Sequence, residues 1–284
     1  MTAPVVGVGH GLGKLILLGE HAVVAGYPAI AAAVDRGTTV TLTHRPGPSG
    51  VDASALHDPR LWPALATLVP PEGVGVHITS DLPVGCGMGS SAALAVALVR
   101  ALAAREGRVA DFETCFAQAF PVERVFHGNP SGVDHAVSAL GGVVRYRREG
   151  PEVVPMPGLA PVRLVVANTG TPGNTAEMVE RVRRRGAAAE FAAIAELVAE
   201  AERRWPDLGR LLDENHRLLQ TIGVSTPRLD DACAAMRAAG AQGAKLAGAG
   251  GGGVCFALVD ATAEAAVVAA AERLGNTAWA MRVG

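Results

Sequence analysis

The sequence predicts an α+β protein of two domains. Three observations carry this. Up to residue 80 the chain is dominated by short apolar runs of β type, and helical periodicity begins only at Gly89. Between Pro155 and Pro161, three prolines and one glycine fall in seven residues, a natural boundary. Beyond it, strands and helices alternate as a split βαβ sandwich requires. With 284 residues there is room for two cores at about 100–200 residues each. The break is placed at 158/159, giving domains 1–158 and 159–284.

Residues 14–18, 29–34, 38–44 and 74–80 read as strands, the last from the alternation of Val74, Val76 and Ile78. Helices are expected over residues 89–105, 111–125 and 131–140. Gly141 and Gly142 then open a hairpin turned at Gly150 and Pro151. After the boundary, a strand at 162–167 leads into helices at 176–184, 187–205, 208–220 and 229–239. Strands at 243–246 and 254–259, a helix at 262–274 and a strand at 277–283 complete the chain. Arg181, Arg183, Arg184 and Arg185 fall at a helix end, where water and the negative pole of the helix both suit cations.

Composition excludes several function classes. Apolar residues at 49% and charged residues at 18% exclude disorder. A net charge of −2 leaves no electrostatic footprint for nucleic acid or anionic lipid, and 4% aromatics leave few stacking platforms. No apolar run reaches the about 18 residues of a membrane span, and no basic segment precedes an apolar one at the start. A cytoplasmic protein without membrane or nucleic-acid partners is expected. Cys86, Cys115, Cys233 and Cys255 lack CxxC or zinc spacing and read as reduced, buried thiols.

The anomaly is glycine, 35 residues where average usage of about 7% gives about 20. They cluster: Gly7, Gly9, Gly11 and Gly13; Gly85, Gly87 and Gly89; Gly248 and Gly250 to Gly253. In the second cluster a strand runs into alternating glycines, and a helix then begins at the paired hydroxyls Ser90 and Ser91. Backbone amides freed of side chains, at the positive pole of a helix, make a phosphate cradle. Two familiar nucleotide patterns fail. Before Gly13 and Lys14, a Walker loop would need glycine where Val8 stands and a hydroxyl where Leu15 stands. Gly248, Gly250 and Gly253 fit GxGxxG, but a strand rather than a helix follows.

Taken together, GKLILLGEHAVVAGYPA from Gly13, HGNPSGVDHAVSALGG from His127 and KLAGAGGGG from Lys245, with the loop around Gly87, resemble the signature motifs of the GHMP small-molecule kinases. The match spans most of the chain and is most similar to the mevalonate kinase branch. The resemblance implies an N-terminal α/β ATP-binding domain, a C-terminal ferredoxin-like domain and an active site in the cleft. It further implies ATP and Mg²⁺ as cofactors, mevalonate as the acceptor and 5-phosphomevalonate as the product, and is compatible with a homodimer.

Residue by residue, the resemblance implies Asp134 as catalytic base, with Lys14 keeping it ionised and contacting the acceptor. Gly85, Gly87, Met88, Gly89, Ser90, Ser91 and Ala92 would bind the ATP phosphates. Ser91 and Glu123, eleven residues before Asp134, would hold Mg²⁺ through oxygen, as a hard cation requires. Lys14, Glu20, His21, Asp134, Gly250 and Gly251 would line the acceptor site, while Asn129 and Ser131 shape the loop presenting Asp134. Ala247 departs from the pattern, standing where mevalonate kinases carry threonine, and it bears on acceptor identity. The alternatives are a kinase for a related acceptor, such as phosphomevalonate or another small hydroxylated metabolite, and a non-catalytic ligand sensor. Retention of Lys14, Ser91, Glu123 and Asp134 together speaks against a sensor.

Overall fold

The structure, a computed structural model, describes residues 3–52, 58–83, 87–150 and 152–284. In chain order the elements are β1 (Val5–Leu18), β2 (Ala29–Pro48), β3 (Gly50–Asp52), α1 (Leu61–Leu65), β4 (Glu72–Ser80), α2 (Ser90–Arg105), α3 (Phe112–His127) and α4 (Val133–Leu140). There follow β5 (Val143–Arg147), β6 (Glu152–Pro155), β7 (Val162–Asn168), α5 (Thr175–Arg185), α6 (Ala188–Arg203), α7 (Leu208–Thr221) and α8 (Pro227–Ala238). The chain ends with β8 (Gly243–Leu246), β9 (Val254–Val259), α9 (Glu264–Arg273) and β10 (Thr277–Val283). Among the described residues, no helix is long and apolar enough to cross a membrane.

The chain forms two compact units. The first comprises Met1–Lys14, Arg36–Pro83 and Gly89–Gly141. Here β2 pairs antiparallel with β4, from Thr38 opposite Ser80 to His44 opposite Val74, and β3 adds in parallel on β4. Helix α2 is apolar nearly all round because both of its sides are covered. Leu94 and Leu98 pack with Val40, Leu42, Val74 and Val76, while Ala95, Val96 and Val99 pack with Cys115, Ala119 and Val122 of α3. Asp111 caps α3, accepting the Thr114 N–H at 2.8 Å.

The first glycine cluster is part of a strand. It lies in β1, which begins at Val5 rather than at residue 14, and its period of two is that of a strand. A Cβ on Gly7 would run into the Ala101 carbonyl, one on Gly9 into the Ala97 carbonyl, and one on Gly11 into the Ala93 carbonyl. Two strand residues advance about 6.7 Å and four helix residues about 6.0 Å, so alternate glycines meet every fourth residue of α2. The strand thus lies directly on the helix backbone.

The second unit comprises Leu15–Asp35, Val84–Met88 and Gly142–Gly284, and it runs unbroken through 158/159. Its sheet order β8-β9-β7-β10 is antiparallel throughout, the order of a split βαβ pair, as expected. Beyond β10, Val283 pairs with Val34 of β2, and Ala29–Ala32 of β2 pair with β5, which forms the expected hairpin with β6. Met178 and Val182 of α5, Leu219 of α7, Leu229 and Met236 of α8 and Val267 of α9 share a core with Val165, Leu246 and Cys255 from the sheet.

Residues 29–34 and 38–44 form one strand, β2, where two were expected, because the polar Asp35 and Arg36 between them continue in extended backbone. The brief α1, β3 and a 3₁₀ turn at Ala22–Ala25 were not anticipated. Arg181, Arg183 and Arg184 are exposed at the end of α5, where Glu177 and Glu180 pair with them. Cys115, Cys233 and Cys255 are free and buried; Cys86 lies outside the described residues.

Candidate active site

In the first unit, four of the expected residues converge. β1 delivers Lys14 at its inner end, and the first turn of α4 delivers Asp134 after Gly132, whose φ of 97° puts the chain in left-handed backbone. Lys14 Nζ meets Asp134 Oδ1 at 3.0 Å, with side-chain exposures of 5% and 27%. The carboxylate at the start of α4 also has the positive pole of that helix behind it. Gly89, the N-cap of α2, makes room for the lysine: a Cβ there would stand 3.0 Å from Lys14 Cγ, and its φ of 71° is left-handed. Glycine rather than Ser90 thus fills the cap, and the first amides of the helix, from Ser90 to Ala92, point out of its end.

Glu123 sits on α3 and is 1% exposed, not solvent-facing. Its Oε1 is buried without a hydrogen-bond partner. Burial, and next the Asp134 charge, push its carboxyl up to about 8 against the pull of a Ser91 hydrogen bond and Lys14. An orphaned carboxylate oxygen beside a serine hydroxyl suits a hard cation that accepts two protein oxygens and completes its shell with phosphate and water. Among the described residues no group of three or more His, Cys, Asp or Glu could hold a metal.

The folded carboxyl keeps its proton up to about 8, whereas an unfolded glutamate releases it near 4.5; the metal-free protein therefore loses stability as pH rises through this window. Glu123→Gln removes the effect. Its Tm should match the parent's at about pH 4 and exceed it at about pH 9. Thermal melts at both pH values check this, and a parent gaining on the variant with rising pH overturns it.

Sequence reasoning left His127 without a role. Its Nε2 lies 3.0 Å from Ser91 Oγ. This hydrogen bond fixes the rotamer of the Ser91 hydroxyl. The signal was its place one residue before the loop that leads to Asp134. His135, next to Asp134, is fully buried between Phe116 and Phe120, and burial lowers its pKa to about 4, so it stays neutral.

The second unit carries the other expected residues. Gly87 and Met88 belong to it, with Gly87 at φ 72° and its Cα 3.8 Å from where a Cβ on Gly248 would stand. Gly87 of the second cluster therefore lies near Gly248 of the third. Gly85 lies outside the described residues. Gly87, Ala247, Ala249, Gly250 and Thr175 line a cleft of about 30 Å³.

The third cluster is less open than expected. A Cβ on Gly250 would strike the Val224 carbonyl, one on Gly251 would stand 2.9 Å from Met178 Sδ, and one on Gly252 2.6 Å from the Thr171 carbonyl. The Gly251 amide already donates to Val224 at 2.8 Å, and the Gly253 amide to Thr171 at 2.6 Å. These glycines bring backbone against backbone, and the amide of Gly251 is committed within the protein.

Glu20 and His21 follow β1. His21 is 7% exposed, and its Nε2–H donates to the Ala249 carbonyl at 2.9 Å; burial lowers its pKa. Glu20, 1% exposed, pairs with Lys245.

The family model for the GHMP kinases N terminal domain matches residues 59–142, and that for the GHMP kinases C terminal domain matches 192–276, one on each side of 158/159. Mevalonate kinase of Thermococcus onnurineus is 36% identical, with 86% of each chain covered. That of Pyrococcus abyssi is likewise 36% identical over 86% of each chain. The crystal structure of L. major mevalonate kinase in complex with R-mevalonate aligns with a TM-score of 0.87 at 29% identity, covering 98% of this chain and 95% of that one. With both family segments matched in order and this identity sustained over most of its length, the chain belongs to the GHMP kinase family and is a kinase.

Proposed function

We propose that the protein transfers the γ-phosphoryl group of ATP to the 5-hydroxyl of (R)-mevalonate, giving 5-phosphomevalonate. The observation that carries this reading is the pairing of Lys14 with Asp134 beside the buried, orphaned carboxylate of Glu123. The kinship with mevalonate kinases supports the choice of acceptor.

Asp134 accepts the proton of the acceptor hydroxyl as the phosphoryl group moves. Lys14 pairs with that carboxylate and stabilises alkoxide character on the attacking oxygen. Ser91 and Glu123 hold Mg²⁺, which supplies charge neutralisation on the phosphates when bound. The backbone of Gly85, Gly87, Met88 and Gly89 and the leading amides of Ser90, Ser91 and Ala92 cradle the phosphates. Glu20, His21, Gly250 and Gly251 border the acceptor, His21 through its imidazole. In this reading residues 1–158 bring ATP and the base, and residues 159–284 complete the acceptor site.

Ala247 favours keeping a second reading, a related acceptor, since a 5% exposed alanine on the glycine-loop cleft offers no hydroxyl to a ligand. An ADP-release assay across mevalonate, phosphomevalonate, galactose and homoserine decides. Mevalonate should give the highest kcat/KM; a higher value for any other acceptor overturns the assignment.

A further inference from the structure

Two fully buried polar residues of the second unit have no role in the chemistry above, Asn215 of α7 and Lys245 of β8, both at 0% exposure. Lys245 Nζ pairs with Glu20 Oε1 and stands 5.2 Å from the centroid of the Phe256 ring. Asn215 donates its Nδ2 to the other carboxylate oxygen, Glu20 Oε2, at 3.3 Å, while its own Oδ1 is buried without a partner. Neither arrangement is explained by stability. A buried ion pair is commonly matched or bettered by apolar side chains of similar volume, and an amide with one arm unsatisfied carries a desolvation cost.

What they grip is unusual. His21, which follows Glu20, has φ 61° and ψ −46°, and is the one non-glycine residue of positive φ among those described. The Ala22 amide donates to the Glu20 carbonyl at 2.7 Å, two residues back, closing a γ-turn with His21 at its centre. This is the rare, strained form of the γ-turn, and such backbone persists only where its surroundings over-determine it. On one side of the turn the Glu20 carboxylate is held at both oxygens; on the other, the imidazole is held by Ala249. Just before it, Gly19 at φ 109° passes so close to Ala29 that a Cβ would stand 2.5 Å from that residue's Cα.

We propose that Lys245 and Asn215 are positioning residues for the phosphoryl acceptor: by clamping both oxygens of Glu20 they hold the γ-turn that presents the His21 imidazole. The proposal rests on the acceptor role given to His21 above. Loosening the clamp therefore weakens acceptor recognition and leaves the Lys14 and Asp134 chemistry in place.

The test compares Asn215→Ala and Lys245→Met with the parent, varying ATP and mevalonate separately. In both variants the KM for mevalonate should rise about tenfold, with the KM for ATP within about twofold and kcat within about threefold of the parent. In a His21→Ala background, Asn215→Ala should raise the mevalonate KM no further; a full, additive loss there overturns the proposal. Imidazole ¹⁵N NMR of the substrate-free protein supplies a readout independent of the acceptor. The His21 Nε2–H signal should be slow to exchange in the parent and lost to exchange in Asn215→Ala, and an unchanged signal overturns the proposal whatever the enzyme phosphorylates. Should the parent prefer another acceptor, the functional reading falls, and the same cycle is run on the acceptor it does use. Should Lys245→Met fail to fold, Asn215→Ala, which leaves the ion pair intact, decides.

Discussion

Asp134→Asn should lower kcat by about 10²–10⁴-fold, the usual contribution of a positioned base, with little change in the KM for ATP. The substitution keeps shape and hydrogen-bonding capacity but cannot take up a proton. Lys14 then faces a neutral amide at the 3.0 Å spacing it shared with a carboxylate, and the ion pair is lost. The variant should remain folded, because Asp134 is partly exposed, with 27% of its side chain accessible, and its helix is held by the buried Val133, Ala136 and Val137. Steady-state assays at saturating ATP, with a thermal melt as control, test this. Turnover at the parent's rate would remove Asp134 from the role of base.

The largest effect on stability is expected from Gly9→Ala. A single methyl would meet the Ala97 carbonyl and the Ala101 amide nitrogen, contacts made by backbone inside a helix that cannot swing aside. Overpacking commonly costs about 1–3 kcal/mol and more where nothing can yield, and each kcal/mol lowers Tm by about 2–4 °C in a protein of comparable size. Gly50→Ala is the control, since its nearest neighbour is the far end of the flexible Arg45 side chain at 3.2 Å. The first should melt about 10 °C lower or fail to fold, and the second should stay close to the parent. Equal Tm values for the two would show that β1 does not lie on α2 as described.

The contrast shows what was legible in the sequence. The helix from Ser90 could be read because local pattern carries it, whereas the carboxylates at 123 and 134 were named through the family resemblance. The first cluster was left outside the strand expected from residue 14, although Gly7, Gly9, Gly11 and Gly13 recur with the period of a strand. The composition drew attention to the glycines themselves and away from their spacing. The clamp on Glu20 was out of reach for another reason. Ion pairing between residues 225 apart leaves no local trace, and a lysine in a glycine motif reads as solvated. Asn215 did leave a sign: it continues the apolar stripe of Leu208, Leu211 and Leu212 on α7 and ahead of Leu219, a polar residue on a core-facing side.

The commitment of Gly251 and Gly253 amides to Val224 and Thr171 belongs with the same lesson. A glycine excess says that backbone comes close to something, and in two of the three clusters that partner includes the protein's own backbone.

The packing of β1 on α2 acts as a ruler. Its contacts step from Gly7 and Ala101 through Gly9 and Ala97 to Gly11 and Ala93, and Lys14 then crosses the helix cap at Gly89. The strand advances about 0.7 Å more than the helix at each step, so over the two steps the mismatch grows to about 1.4 Å. The separation between the lysine and the paired serines is therefore set by main-chain geometry and not by side chains that could be exchanged. Inserting one residue into α2 between Ala93 and Ala101 would turn the helix by about 100° and throw the whole scale out of step. Variation that tunes such an enzyme must fall in its loops, because the gauge between its charges has no adjustable part.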